Sequence, residues 1–181
     1  MSPRPSSPLT LEFILLGLLD QRPMHGYDLH RELISLAGIA LIWSVKQSRL
    51  YALLDKLEQG GLLASELIPG EAHPMRKQFH LTERGRQSLH AWMLSPVQHG
   101  REMRQDFLAR LYFAQLNGLQ TALQLIQDQR DVCLGWQAHL DDQVSSLQGE
   151  GQFERLVYEF RIAQVKAMLD WLDACQKELS G

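Results

Sequence analysis

Hydrophobic residues along this chain recur first at helical spacing, then briefly at strand spacing, then at helical spacing to the end. From Leu9, the run LTLEFILLGLLD places apolar residues at helical intervals up to Leu19, with Thr10 available as a cap, which predicts a first, buried helix. QRPMHG breaks the pattern, and YDLHRELISLAG resumes it with Tyr27, Leu29, Leu33, Ile34 and Leu36 before Gly38 ends the second helix. A third helix is expected from about Gln47 to Gln59, closed by Gly60 and Gly61. At about 100° per residue, Leu53, Leu54 and Leu57 fall within about 60° of Leu50, while Ser48, Ala52, Asp55 and Gln59 lie opposite and Tyr51 sits on the flank. An aromatic ring lifted out of a leucine stripe, in a stretch that opens Lys46, Gln47, Ser48, Arg49, is placed to touch something outside the protein.

The period then changes. LLASELI (62–68) and RKQFHLT (76–82) are short, β-tolerant runs separated by PGEAHPM, which predicts a two-stranded hairpin with a loose, exposed tip. Thr82, Glu83 and Gly85 open a further helix, TERGRQSLHAWML, which SPVQHG ends at 95–100. The remainder is helical. REMRQDFLARLYFAQL reads as one amphipathic helix ending at Asn117 and Gly118. In the next helix Leu119, Leu123, Ile126, Cys133, Leu140, Val144 and Leu147 recur at spacings of three, four or seven. GEGQ (149–152) makes a turn, and a last helix carries Phe153, Leu156, Val157, Phe160, Ala167, Met168, Trp171, Leu172, Cys175 and Leu179. Two long helices with wide apolar faces need a third surface, and a second copy of the chain is the simplest source, so a C2 dimer built on the C-terminal half is expected.

Composition narrows the class. Of 181 residues, 45% are hydrophobic and 22% charged, enough for a real core and unlike a disordered chain. The formal charge of -3 excludes a highly basic nucleic-acid coat. Residues 1–100 carry 10 Lys+Arg against 9 Asp+Glu, and residues 101–181 carry 8 against 12. A polyanion bound by the N-terminal half must therefore meet a local cluster of cations and not a global field. The longest early apolar run, FILLGLL (13–19), is far short of a membrane span, and MSPRPSSP before it reads as a mobile arm and not as a secretory signal, so a cytosolic, reduced chain with no membrane partner is expected. The two cysteines, Cys133 and Cys175, belong to no ligand-spaced cluster and read as packing residues.

Catalytic signatures do not emerge. The seven histidines show neither HExxH nor a pairing with cysteine spacing, and no GxSxG, GK[ST] or GxGxxG motif occurs. No enzyme activity, metal or cofactor is expected.

Three short helices, a hairpin and a connecting helix, in that order and all before residue 95, are the order of a winged helix-turn-helix, in which the third helix enters the DNA major groove and the hairpin lies along the backbone or the neighbouring minor groove. The fold expected is mainly α with a small β-hairpin wing: a flexible arm (1–8), a winged helix-turn-helix domain (9–98) and a helical dimerisation or effector domain (99–181). Tyr51 and Ser48 would then face phosphates or base edges while Leu50, Leu54 and Leu57 anchor the helix. Gln47 and Ser48, at the helix start, serve equally as capping and first-turn residues, where a helix N-terminus itself attracts phosphate. Arg49 and Lys56 are flank charges, and Arg76 and Lys77, which follow a Pro-rich turn, are placed to reach phosphate or to guard a strand edge.

In three segments, LGLLDQRPMHGYDL (16–29), SRLYALLDKLEQGGLL (48–63) and RKQFHLTERGR (76–86), the chain resembles the PadR-like transcriptional regulators. The resemblance covers most of residues 9–94, and the C-terminal region resembles the longer members with a helical dimerisation domain. It implies a homodimeric winged-helix regulator of operator DNA, a repressor more often than an activator, commonly responsive to a small aromatic or hydrophobic effector. It assigns Tyr51 and Ser48 to the recognition helix, His25 and Tyr27 to the start of the second helix, where they either contact phosphate or simply start the helix, and Arg76 and Lys77 to the wing.

Two positions depart from the family pattern. Gln78 and Phe79 stand where many relatives have two aromatic residues, and Asp55 stands where the exposed face often carries a cation. An acid facing phosphate is repulsive. Asp55 either accepts from a cytosine amino group, or pairs with Arg49 or Lys56, or sits on a helix rotated slightly away. Asp55 and the near-neutral N-terminal half sustain an alternative, a winged-helix module that binds another protein and not DNA. A third reading is a dimeric small-molecule sink built on the aromatic residues.

Overall fold

In the computed structural model, which describes residues 10–36, 46–69, 75–146 and 151–181, nine consecutive residues from Leu11 to Leu19 are buried, so the first helix is enclosed on all sides. This helix, α1 (Thr10–Gln21), is followed by a two-residue strand β1 (Met24–His25), α2 (Gly26–Ser35), α3 (Gln47–Gln59), the hairpin β2 (Leu63–Ile68) and β3 (Arg76–Leu81), and α4 (Glu83–Leu94). A 3-10 turn (Gly100–Glu102) and a π-helical turn (Met103–Phe107) lead into α5 (Leu108–Leu116), and two long helices close the chain, α6 (Leu119–Ser145) and α7 (Gln152–Ser180). The architecture is mainly helical with one small antiparallel sheet, as the pattern of hydrophobic positions predicts. The N-terminal arm, Gly38, the hairpin tip at 70–74, and Leu147 with the first half of the GEGQ turn lie outside the described residues.

The sheet differs from the expected hairpin in one respect. It has three strands in the order β1-β3-β2, because Met24 and His25 pair with Phe79 and Gln78 on the far edge of β3. Two residues are too short to show a period of two, so this strand is invisible to pattern reading. Within the hairpin Leu63 faces Leu81 and Ile68 faces Arg76. The single amphipathic helix expected over 101–116 is instead three helical forms in succession, since apolar spacing over so short a span does not separate i+3, i+4 and i+5 bonding.

The chain divides into two compact units whose segments interleave: one holds the residues up to Met93 together with Arg104–Phe113, the other holds Leu94–Met103 together with Ala114–Gly181. The sequence suggested one cut, after residue 98. Aromatic packing explains the first exchange. In the first unit Phe13 stacks on Trp92 with ring centroids 4.8 Å apart, Trp92 also meets Phe113, and Gly17 leaves room for the Phe113 ring, where a Cβ would stand 2.4 Å from it. A buried amide explains the second. Gln129 of α6 accepts from the Val97 N–H (2.7 Å) and donates to the Val97 carbonyl (3.2 Å), which satisfies the side-chain amide of one residue and the backbone groups of the other inside the second unit.

In that second unit α6 and α7 pack along their length, joined at the surface by Arg130 and Asp173 (2.7 Å). Cys133 and Cys175 are both unpaired, and burial pushes both thiols up, as befits packing residues and not nucleophiles. On α7, Phe153, Leu156 and Phe160 stand 74%, 56% and 63% exposed at spacings of three and four, an apolar stripe turned away from α6.

The start of α4 is a tight junction. Thr82 accepts the Gly85 N–H (3.0 Å) and donates to the Gly61 carbonyl (2.8 Å), and a Cβ at Gly85 would stand 2.1 Å from the Leu62 carbonyl oxygen. Gly85→Ala is therefore expected to destabilise the N-terminal unit by about 1–3 kcal/mol, read as a lower urea midpoint, because backbone and not a flexible side chain must yield.

Candidate nucleic-acid interface

The residues singled out by the sequence converge around the third helix. Leu50, Leu53, Leu54 and Leu57 of α3 are buried and the helix packs on α1 and α2, so its remaining faces point outward. Lys46 is the N-cap and makes no side-chain capping bond, and Gln47, Ser48 and Arg49 occupy an exposed first turn. Gln47 and Ser48 are thus first-turn residues and not caps. Their own N–H groups precede the first intrahelical bonds, which run from Arg49 and Leu50 to the Lys46 carbonyl. Such a turn attracts anions through its amides.

Ser48, Tyr51 and Asp55 follow one another at spacings of three and four and so share one face. The Tyr51 ring, 40% exposed, lies across the first residue of α2: a Cβ at Gly26 would stand 2.5 Å from its Cε1. Gly26 is therefore the seat of this ring. Beside it opens a concavity of about 520 Å³ lined by His25, Gly26, Tyr27, Asp28, Tyr51, Asp55, Arg76, Lys77 and Phe79. Five of the nine candidates, His25, Tyr27, Tyr51, Arg76 and Lys77, meet there, although α2, α3 and the wing supply them from distant parts of the chain.

His25 serves two purposes at once. It ends β1 and occupies the N-cap position of α2 without a side-chain capping bond, and its Nδ1–H donates to the Lys77 carbonyl (3.1 Å), which ties the second helix to the wing strand. Tyr27 is 59% exposed and Arg76 is exposed at the start of β3. Lys77 sits over the Phe79 ring, 5.0 Å from its centroid, and its ammonium is paired with Glu58. The second carboxylate oxygen of Glu58 accepts from Ser65 of β2. Lys77 and then Ser65 hold the Glu58 carboxyl below the ordinary carboxylate value.

Gln47, Ser48 and Arg49 do not line this concavity and occupy the adjacent turn of α3. Lys56 turns the other way. Its Nζ reaches Oε1 of Glu12 (2.8 Å), whose side chain is only 2% exposed while that of Lys56 is 51% exposed. This removes Lys56 as the partner of Asp55, which instead shares the concavity with Arg76 and Lys77. Three residues that the pattern did not single out complete the site: Gly26 as seat, Glu58 as the partner of Lys77, and Glu12 as the partner of Lys56. The only signal for the first was its place in HGY. Among the described residues no cluster of His, Cys, Asp and Glu could hold a metal ion, and no helix is long and apolar enough to cross a membrane.

A helix with an open first turn, presented beside a hairpin that carries two cations, defines a winged helix-turn-helix protein. Residues 15–91 match the family described as "Transcriptional regulator PadR-like family", and residues 103–180 match "Virulence activator alpha C-term". Over residues 15–91 the chain is thus similar to the PadR-like transcriptional regulators. It is 29% identical over 119 residues to the negative transcriptional regulator PadR of Bacillus subtilis (strain 168), an alignment spanning 66% of this chain and 64% of that relative. Among solved structures it is similar to Bacillus subtilis PadR in complex with operator DNA, at 22% identity and a TM-score of 0.48 over 94% of this chain and 99% of that one. It is likewise similar to the same regulator in complex with p-coumaric acid, at 22% identity and a TM-score of 0.41 over 99% of both chains.

Two outcomes follow from the ion pairs. Lys56→Ala leaves the Glu12 carboxylate buried without its counter-ion and is expected to cost about 1–3 kcal/mol of stability by urea unfolding, more than an ordinary surface Lys→Ala. The Glu58 carboxyl titrates lower in the folded chain than in the unfolded one. Its contribution is therefore complete above the ordinary carboxylate range and is lost as pH falls through the folded value. A ¹³C NMR titration of the Glu58 carboxyl should show a midpoint below the ordinary glutamate value, and Lys77→Gln should move it upward.

Proposed function

We propose that the chain is a homodimeric, sequence-specific DNA-binding transcriptional regulator that acts as a repressor and is released by a small aromatic or hydrophobic effector. The observation that carries the DNA reading is the seating of Tyr51 on Gly26, which holds the outer face of α3 next to the wing cations and the start of α2 in one continuous surface. On that surface the first-turn amides of α3 suit a phosphate, Ser48 and Tyr51 suit base edges or phosphates, and Arg76, Lys77, His25 and Tyr27 suit the flanking backbone. Two such helices, one per protomer, would read half-sites about 34–36 Å apart, or a multiple of that spacing. Binding near a promoter would obstruct transcription, and similarity to a relative named as a negative regulator supports that sign.

The Phe153, Leu156 and Phe160 stripe of α7 supports the dimer, because an exposed apolar face at coiled-coil spacing on a long helix is normally covered by another helix. The effector reading is supported by a cleft of about 600 Å³ within the C-terminal unit, where Trp136, Leu140, Val165 and Met168 form apolar walls and His99, Arg101, His139 and Arg161 add polar groups. An effector acts by binding the released state more tightly than the DNA-bound one.

Fluorescence anisotropy against labelled DNA from upstream of the chain's own gene, with scrambled duplex as control and two salt concentrations, tests this reading. Saturable, upstream-preferring binding that weakens steeply with salt is expected. Arg76→Ala should weaken binding to both duplexes and lower the salt slope by about one for each phosphate it no longer neutralises, whereas Tyr51→Ala should cost about 1–3 kcal/mol more on the upstream duplex than on the scrambled one. Absence of binding to either duplex at low salt would replace the DNA reading with that of a protein-interaction module.

A further inference from the structure

We infer that Glu58 is a built-in competitor for Lys77, an intramolecular anion that the DNA phosphate must displace, and that this residue sets the sequence-independent part of the chain's DNA affinity. The inference rests on the DNA reading above.

Glu58 stands in the last turn of α3, the helix that presents Ser48 and Tyr51, yet its carboxylate points to the wing. One oxygen takes the Lys77 ammonium of β3 and the other takes the Ser65 hydroxyl of β2. The two bonds differ in consequence. Ser65 belongs to a paired strand and keeps the carboxylate in place whether or not Lys77 remains, because Ser65 pairs with Phe79 in the ladder. Lys77 has a long side chain, 42% exposed, at the edge of the concavity that also holds Tyr51 and Arg76. Its ammonium therefore has two anions within reach when DNA arrives, and a phosphate gains it only by taking it from Glu58.

The Lys56–Glu12 pair marks the contrast. Glu12 is enclosed, so withdrawing Lys56 strands a buried charge, and Lys56 is committed to the fold. Glu58 is 30% exposed, so water re-solvates it when Lys77 leaves and the exchange is cheap. The wing thus carries one cation, Arg76, with no ion-pair partner among the described residues, and one, Lys77, that is already neutralised. Since phosphate contacts carry no sequence information, this neutralisation lowers affinity for every duplex alike and leaves discrimination to α3.

The test is a set of five proteins, the unsubstituted chain, Glu58→Gln, Glu58→Asp, Lys77→Gln and Glu58→Gln/Lys77→Gln, each checked for its unfolding midpoint and titrated by anisotropy against the upstream and scrambled duplexes at one salt concentration. Glu58→Gln is expected to tighten binding about two- to fivefold per protomer on both duplexes, the range of an exposed ion pair. Glu58→Asp, which keeps the charge but withdraws the carboxylate from Lys77, should retain part of that gain. In the Lys77→Gln background Glu58→Gln should change nothing. A gain from Glu58→Gln that survives in the Lys77→Gln background, or is absent in Glu58→Asp, reduces the effect to through-space charge and overturns the inference. Weaker binding by Glu58→Gln overturns it in the opposite direction, making Glu58 a residue that positions Lys77 for DNA. Failure of the unsubstituted chain to bind any duplex overturns the DNA reading and this inference together, an outcome distinct from binding without coupling.

Discussion

The rotation of α3 about its own axis is the constraint on which the rest of the N-terminal surface depends. A helix turns about 100° per residue, so a slip of one position would bring Tyr51 into the core and turn Leu50 to solvent. Four buried leucines exclude that slip. Two contacts on the flanks fix what the leucines leave adjustable: the Tyr51 ring resting on Gly26 on one side and the Lys56 ammonium on Glu12 on the other. With rotation set in this way, Ser48, Tyr51 and Asp55 form the outer edge and the first turn is left open, while Lys56 is turned out of the site. The same packing explains why α1 holds a carboxylate among buried leucines, since Glu12 is enclosed but paired.

Electrostatics on this unit are local throughout. Arg22 pairs with Glu32, Arg86 with Asp20 and Glu83, Lys56 with Glu12 and Lys77 with Glu58. Cations and acids nearly balance over the first hundred residues, so little long-range field remains to steer a polyanion. In the proposed DNA reading, recognition would then depend on short-range shape, on the open turn of α3 and on which cations retain a choice of partner. Asp55 fits this picture. Within a concavity that holds Arg76 and Lys77 it tempers the positive charge of the wing, which disfavours indiscriminate binding as much as it costs affinity.

The C-terminal unit is built on a different principle. Its helices carry more apolar residues than their mutual contact covers, and the most exposed of the surplus forms one stripe on α7, while the buried amide of Gln129 holds the segment around Val97. Apolar surplus gathered on one helix face is a demand for a partner surface, and a buried amide with both groups satisfied is a registration device, because no shifted pairing would satisfy it equally.

Period, punctuation and charge, all local properties of the chain, were enough for the element order, the bounds of α3, the two wing strands and the inward leucines, because each is written within a dozen residues. The family resemblance was legible for the same reason, as three short motifs in order. Tertiary structure alone decided the third strand at Met24 and His25, the interleaving of the two units, the seating of Tyr51 on Gly26, and the partners of Lys56 and Lys77. A glycine looks the same in sequence whether it faces solvent or an aromatic ring, and a lysine looks the same whether it faces an enclosed carboxylate or an exposed one. Those differences arise from contacts between residues 12 and 56, 26 and 51, or 58 and 77, and no periodicity along the chain encodes a distance across it.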